Sequence, residues 1–430
     1  MRIMSASDPY SALRLRDFRC YLASSMLGTI GFQVQILAVR YEVFGRSNDD
    51  YMSLGWMGLL MTAPALLLTL PAGQIADWFD RRIVVVVALT VAAFGSLGLY
   101  CVSIYHGPLW MVYAAVLLRA TAGTFTQPSR GALLPQIVPN EELANAITWN
   151  SSNMQMALMV GPALGGFIAS YSIPAAYLTD AACMILSLLS ILAIRHRRPA
   201  AKREPATVQA VMAGLRYVMN TKVILATLTL DLMATIFGGA TALLPGFAKN
   251  ILHVGPRELG WLNAAPAAGA VVMSGMLAHF GPLKNAGRSL IYAVIGFGAA
   301  TALFGLSTSF YLSLFLLFLT GAFDNISVVV RHTLVMALAP ENMRGRISAV
   351  NSLFIGASNR LSDFESGLTA RLWGPVASVI FGGVGSMICV VAAAYKWPEL
   401  SQIGSLEDLR PNADAPESVE KAEEQKEAVV

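Results

Sequence analysis

Seven ionisable side chains fall inside stretches that are otherwise strongly apolar: Arg119, Asp180, Asp231, Asp324, Arg360, Asp363 and Glu365. A charge at the centre of a bilayer costs about 2.5–3.5 kcal/mol even on the lenient insertion scale, so each one asks for a reason. Burial makes a carboxylate hold its proton nearer neutral pH, and a neighbouring arginine biases the exchange. Such an acid can take up a proton on one side of a membrane and release it on the other. Asp231, Asp324 and Glu365 are the candidates for that proton, with Arg119 as a charge partner or a substrate contact. The competing reading makes each of them one end of a structural Asp–Arg or Asp–Asn bond between helices. Asp180 has the Thr179 hydroxyl beside it, and Arg360 and Asp363, three residues apart, can satisfy one another.

The elements that position these residues follow from composition. The 430 residues are 55% hydrophobic and 13% charged, against about a quarter charged in soluble domains. The stretches 53–76, 83–105, 289–323 and 372–394 contain no Asp, Glu, Lys or Arg, and about 20 such residues cross the hydrocarbon core as a helix. The pattern predicts an all-α membrane protein with twelve transmembrane helices, at about 18–43, 53–76, 83–105, 108–127, 142–170, 174–194, 222–249, 257–280, 288–307, 310–336, 345–371 and 374–395. Arginine and lysine concentrate in the loops after even-numbered spans, which places both termini in the cytoplasm. That distribution accounts for the net charge of +4 without a nucleic-acid partner. The cysteines Cys20, Cys101, Cys183 and Cys389 stand singly, without metal-ligand or redox spacing, and read as packing residues. The first span lacks a small-residue cleavage site and reads as a retained helix.

A short signature divides the chain. Arg130, Leu133, Pro139, Asn150, Ser151 and Gly166 recur 201 positions later as Arg331, Leu334, Pro340, Asn351, Ser352 and Gly367. Duplicated halves of several spans are a recurrent way to build secondary transporters, with the binding site between them. Residues 1–195 then form an N-terminal six-helix bundle and 222–396 a C-terminal one. The cytoplasmic linker 196–221 opens basic and carries Val208, Val211, Met212, Leu215, Val218 and Met219 at helical spacing. It is read either as an amphipathic surface helix or as a plain connection. The polar 397–430 tail reads as cytoplasmic and disordered.

Two motifs carry a resemblance. Span 2 runs into a loop holding Gly73, Asp77, Asp80, Arg81 and Arg82. Glycine lets a second helix approach closely, and the carboxylate four residues on can meet helix N-terminal amides or Arg81. This loop resembles the one between spans 2 and 3 of the major facilitator superfamily, with Trp78 and Asp80 departing from its usual arginine and glycine. Such a cluster would latch the two halves on the cytoplasmic side and break when the transporter changes face, and Arg130 and Arg331, which end spans 4 and 10, read as further latch residues rather than substrate ligands. In the second half Gly275 matches Gly73, and His279 replaces the acid. Span 5 contains Gly161, Pro162, Gly165 and Gly166, which resembles the Gly-Pro motif of antiporters in the same superfamily. Pro162 removes one backbone hydrogen bond and bends the helix. Together with Leu15-Arg-Asp-Phe-Arg19, Ala242-Leu-Leu-Pro245 and Met343–Asn351, these features resemble the subgroup that includes the enterobactin exporter and macrolide efflux proteins.

The resemblance implies a secondary active transporter of the inner (plasma) membrane of a bacterium, working as a monomer. It would export a small drug-like or siderophore-like molecule by proton antiport with alternating access. Its partners are the lipid bilayer, the small-molecule substrate and protons, with no cofactor and no metal. Two alternatives stand beside it: a nutrient importer by symport, and a non-transporting membrane receptor or scaffold. No Gly-x-x-x-x-Gly-Lys-Ser/Thr loop, His-Glu-x-x-His or Gly-x-Ser-x-Gly occurs in the sequence, so no enzymatic activity is expected.

Overall fold

The computed structural model describes residues 10–195, 208–280, 285–338, 344–398 and 404. Among them there are helices and no strands. The first half holds α1 (Arg16–Arg46), α2 (Tyr51–Trp78), α3 (Arg81–Ile104), α4 (Leu109–Ile137), α5 (Leu143–Tyr171) and α6 (Ile173–Leu192). After α7 (Val208–Asn220), the second half holds α8 (Lys222–Phe237), α9 (Pro256–Phe280), α10 (Ala286–Leu306), α11 (Phe310–Leu338), α12 (Arg344–Trp373) and α13 (Pro375–Lys396).

Eleven segments among the described residues are long and apolar enough to cross a membrane. The expected eleventh span, 345–371, is α12, which has the length but not the composition, because Arg344, Arg346, Arg360, Asp363, Glu365 and Arg371 all lie on it. It packs against α2, α8 and α13, and Asp363 and Glu365 on it are half-buried. The expected seventh span, 222–249, is not one helix. It breaks at Gly238 and Gly239 and continues through 3-10 and π turns to Ile251. The break has a packing reason: a Cβ on Gly238 would lie 2.7 Å from the Phe297 ring. Irregular backbone inside a membrane protein survives where protein encloses it.

Local sequence sets the turns. Asp50 and Asp80 cap α2 and α3, their carboxylates accepting from the Met52 and Arg82 amides at 3.0 and 2.9 Å. Asn48 and Asp49 take φ of 56° and 61°, which closes the short turn between α1 and α2. Leu66, Leu67, Phe94, Ile388 and Tyr395 are exposed on the outside of the bundle, where a membrane protein meets lipid.

Helices α1–α6 pack among themselves, as do α8–α13. The principal contacts between the halves are α2 with α12 and α5 with α9. α7 is helical, as one reading of the linker expects. It rests on α8 and α12 through Val218, which clusters with Ile224, Leu228, Val335 and Ile347, while Met212 and Met219 stay exposed. Residues 196–207, 399–403 and 405–430, which include the basic part of the linker and most of the expected tail, lie outside the described residues.

Candidate functional site

The second half encloses a pocket of about 210 Å³ whose wall includes Asp231, Asp324 and Asp363. Asp231 comes from the middle of α8 and accepts from Arg331 of α11, both nearly buried. Thr235, one turn on, stands 3.5 Å from the same carboxylate. Asp324 lies seven residues before Arg331 on α11, two turns along the same face. It is open to the pocket and within electrostatic reach of both Asp231 and Arg331. Asp231 holds the guanidinium directly, and Asp324 stands within its electrostatic reach without an ion pair to it. Arg331, expected as a latch at a helix end, points into its own half instead.

The third acid of that pocket belongs to a contact between halves. Arg40, near the end of α1, donates to Asp363 of α12 at 2.6 Å. Gly58 of α2 has no side chain and leaves the space that Asp363 fills. The expected local pairing of Asp363 with Arg360 gives way to this long-range one; the Arg360 side chain lies outside the described residues. Glu365 is not brought to the pocket. It is half-buried, with Ser366 at 3.4 Å.

The first half holds its own pocket, about 370 Å³, with Arg119 and Arg130 in its wall and no acid among its lining residues. Arg119 does not meet the acids of the second half. It stands 3.7 Å from the fully buried Asp180 of α6 and 5.2 Å from the centre of the Phe32 ring. Ser96 of α3 donates to the same Asp180 at 2.5 Å, while Thr179 instead donates to the Ala175 carbonyl. The expected Thr179 bond to Asp180 is thus replaced by a link among α3, α4 and α6. Arg130, expected as a latch, turns inward. It donates to the hydroxyls of Ser24 and Ser187 at 3.0 and 2.9 Å.

The motif after α2 holds the first half together. Asp80 caps α3, with φ of −58° rather than the left-handed turn a glycine there would favour. Arg81 donates to the Ala132 carbonyl at 3.0 Å, and Arg82 donates to the Ile191 carbonyl at 3.2 Å. Both cations thereby complement helix C-terminal ends, of α4 and α6. The Asp77 side chain lies outside the described residues. Gly73, expected at a close helix approach, has open space around it, and Gly275 does too.

The Gly-Pro motif is a contact on two fronts. Cβ atoms on Gly161 and Gly165 would lie 2.6 Å from Gln33 Cβ and 2.9 Å from Val34 Cα of α1. One on Gly166 would lie 2.6 Å from Gly260 Cα of α9, across the divide, and one on Gly260 would lie 2.7 Å from the Pro162 carbonyl. At the corresponding level of the other seam, Gly367 of α12 meets Gly55 of α2 just as closely. Lys249 and Asp49 add an exposed ion pair at 2.5 Å. The contacts between the halves lie at the end away from the start of α1, and Gly73 and Gly275, toward the other end, face open space.

Sequence reasoning missed Arg40 and Glu42. Glu42 is buried and accepts from Tyr177 at 2.5 Å, Ser103 at 2.9 Å and Arg46 at 3.1 Å. Both residues fall inside the expected span 18–43, and that was the signal available.

This arrangement can be compared with known proteins. The family described as transmembrane secretion effector matches residues 7–427. The chain is 27% identical over 402 residues to the enterobactin exporter EntS of Citrobacter koseri, covering 92% of this chain and 89% of that one. It is likewise 27% identical over 404 residues to YjbB of Bacillus subtilis, a transporter of the major facilitator type, covering 92% and 94%. Among solved structures, a bacterial homologue of the human lysosomal transporter Spinster, inward-facing and unoccupied, superposes with a TM-score of 0.70. That match is at 14% identity and covers 93% of this chain and 99% of the other. The nucleoside transporter NupG gives 0.69 at 14% identity, covering 88% and 99%. Those two likenesses concern the fold. The match along nearly the whole sequence settles the family: this chain is a transporter of the major facilitator type and belongs to the transmembrane secretion effector family.

Proposed function

We propose that the chain exports a small organic molecule in exchange for protons, by alternating access, in the inner membrane of a bacterium. What carries this is the charge count of the C-terminal pocket: Asp231 and Asp324 against the single guanidinium of Arg331. A surplus carboxylate facing a pocket inside a membrane is a site for a proton, because the charged form is costly there. Cargo binding would favour proton release, and protonation from the far side would favour cargo release.

The seams support the alternation. Glycine contacts and the Arg40–Asp363 pair close one end, while Gly73 and Gly275 at the other face space that a second arrangement could fill. With the termini in the cytoplasm, this is the inward-open state of a monomer whose two bundles, 1–195 and 222–396, rock about a central site. Asp231 and Asp324 are the proton-coupling residues in this scheme. Gly73, Asp77, Asp80, Arg81 and Arg82 form the loop that meets the second half when the open end closes. The secretion-effector family and the exporter relatives favour export, and siderophore-like or drug-like molecules as cargo.

The test has two stages. A deletion strain is first screened against toxic compounds and siderophores to find a cargo. Inverted membrane vesicles then measure its accumulation with an imposed pH difference. Accumulation should rise with interior acidity and fall at least ten-fold in Asp231→Asn and Asp324→Asn, the cost of losing a charged hydrogen-bonding group. Accumulation that persists unchanged when the pH difference is collapsed would overturn proton coupling.

A further inference from the structure

Arg130 is a cation without an anion. Its guanidinium Nη2 reaches the Ser24 carbonyl at 3.2 Å and the hydroxyls of Ser24 and Ser187 at 3.0 and 2.9 Å, all neutral groups. Its Nε is buried and has no hydrogen-bond partner. No carboxylate stands within ion-pair distance of it among the described residues. The repeat-related Arg331 does have an acid, Asp231. The position that corresponds to Asp231 in the first half, 201 residues earlier, is Ile30. The duplication has kept the arginine in both halves and its counter-ion in one.

A partly buried charge left uncompensated is unfavourable, and a hydrogen-bonded anion compensates it best. Arg130 opens onto a pocket that could admit one. The wall offers Thr29, Gln33, Thr124 and Gln127 as polar groups and Phe32 and Met154 as apolar ones. Arg119, the other cation there, already has Asp180 and leaves no negative charge for Arg130. Gly28 leaves the guanidinium uncovered: a Cβ there would lie 3.1 Å from Nη2 and 3.2 Å from Nη1.

We propose that the N-terminal pocket is an anion subsite in which Arg130 receives an anionic oxygen group of the cargo, with the cargo's apolar body against Phe32 and Met154. The proposal rests on the transport function above and adds the cargo's chemical class, an organic acid. It also divides the labour between the halves. The first half supplies the positive charge that selects the cargo, and the second supplies the surplus carboxylate that exchanges the proton. The carbon skeleton matters less than the anionic oxygen, because the wall's apolar groups, Met154 among them, are deformable.

The test uses full-length protein in phosphatidylcholine nanodiscs and two probes of one shape, 4-(trifluoromethyl)benzoate and its amide, followed by fluorine NMR. The benzoate should bind at least ten-fold more tightly than the amide. Arg130→Gln should remove that preference. Gly28→Leu keeps the charge but fills the space in front of the guanidinium, and should weaken benzoate binding about ten-fold as well. Equal binding of the two probes by wild type, or benzoate affinity unchanged in whichever variant folds, overturns the subsite. Native mass spectrometry from phosphatidylglycerol vesicles separates the other source of an anion. Equal lipid adducts on wild type and Arg130→Gln are expected, and loss of an adduct in the variant would assign the site to a headgroup instead. The two readings fail separately. Benzoate selectivity without any pH-driven transport would sink the transport mechanism alone, and pH-driven transport without selectivity would sink the subsite alone.

Discussion

Arg40 on α1 and Asp363 on α12 join the two halves of the molecule by a 2.6 Å charge-assisted hydrogen bond. The pair sits beside the glycine contact of Gly55 with Gly367 and is largely shielded from solvent. Breaking a partly buried pair by removing one partner costs about 1–3 kcal/mol, less than the full penalty of a buried one. Arg40→Ala should therefore move the population toward a state open at this end. Spin labels on Asn48→Cys and His253→Cys, in a background with the four native cysteines replaced, would report it as a longer distance component. The charge-swapped double variant, Arg40→Asp with Asp363→Arg, should restore the short distance. An unchanged distribution in Arg40→Ala would show that the glycine seams alone hold this end closed.

The two ends should respond oppositely to bulk. Gly166→Leu forces a side chain into the Gly260 backbone, where overpacking costs about 1–3 kcal/mol, and it should lower the melting temperature as well as transport. Gly73→Leu meets nothing within 4 Å, so its melting temperature should match wild type. Its transport should still fall about ten-fold, because the side chain obstructs closure of the open end. Wild-type transport by Gly73→Leu would mean that the helices never approach there.

Arg119 and Asp180 form a structural pair in the first half, with Asp180 fully buried. Asp180→Leu should destabilise by about 3 kcal/mol, since it strands a buried guanidinium. The double variant Arg119→Met with Asp180→Leu should recover most of that loss, measured as a double-mutant cycle on thermal unfolding. Additive losses would show that the two residues act independently.

Much of this architecture was legible because a bilayer imposes length and apolarity on each helix, and those are read directly from composition. Asp231 and Asp324 stood out one by one as charges in apolar stretches, while Arg331 read as a latch at a helix end. Their grouping did not, because Asp231 and Arg331 are 100 residues apart and nothing local ties them. Asp363 misled for the opposite reason: Arg360 offers a near partner in sequence, and Arg40, with which it pairs, lies 323 residues away. Arg40 and Glu42 were hidden among Arg46, Asp49 and Asp50, which look like ordinary charges at a helix end. Gly73 and Gly166 are the same kind of signal, a small residue on a helix. The residue type alone does not say that Gly166 meets Gly260 while Gly73 faces open space.

The most direct measurement counts protons. Purified protein in weak buffer with a pH-indicator dye receives the cargo found in the resistance screen, and proton release is followed by absorbance. Wild type should release protons on cargo addition, and Asp324→Asn should bind the cargo and release none. Equal release by the two proteins would contradict Asp324 as the proton site, and no release from wild type would contradict exchange of protons for cargo altogether.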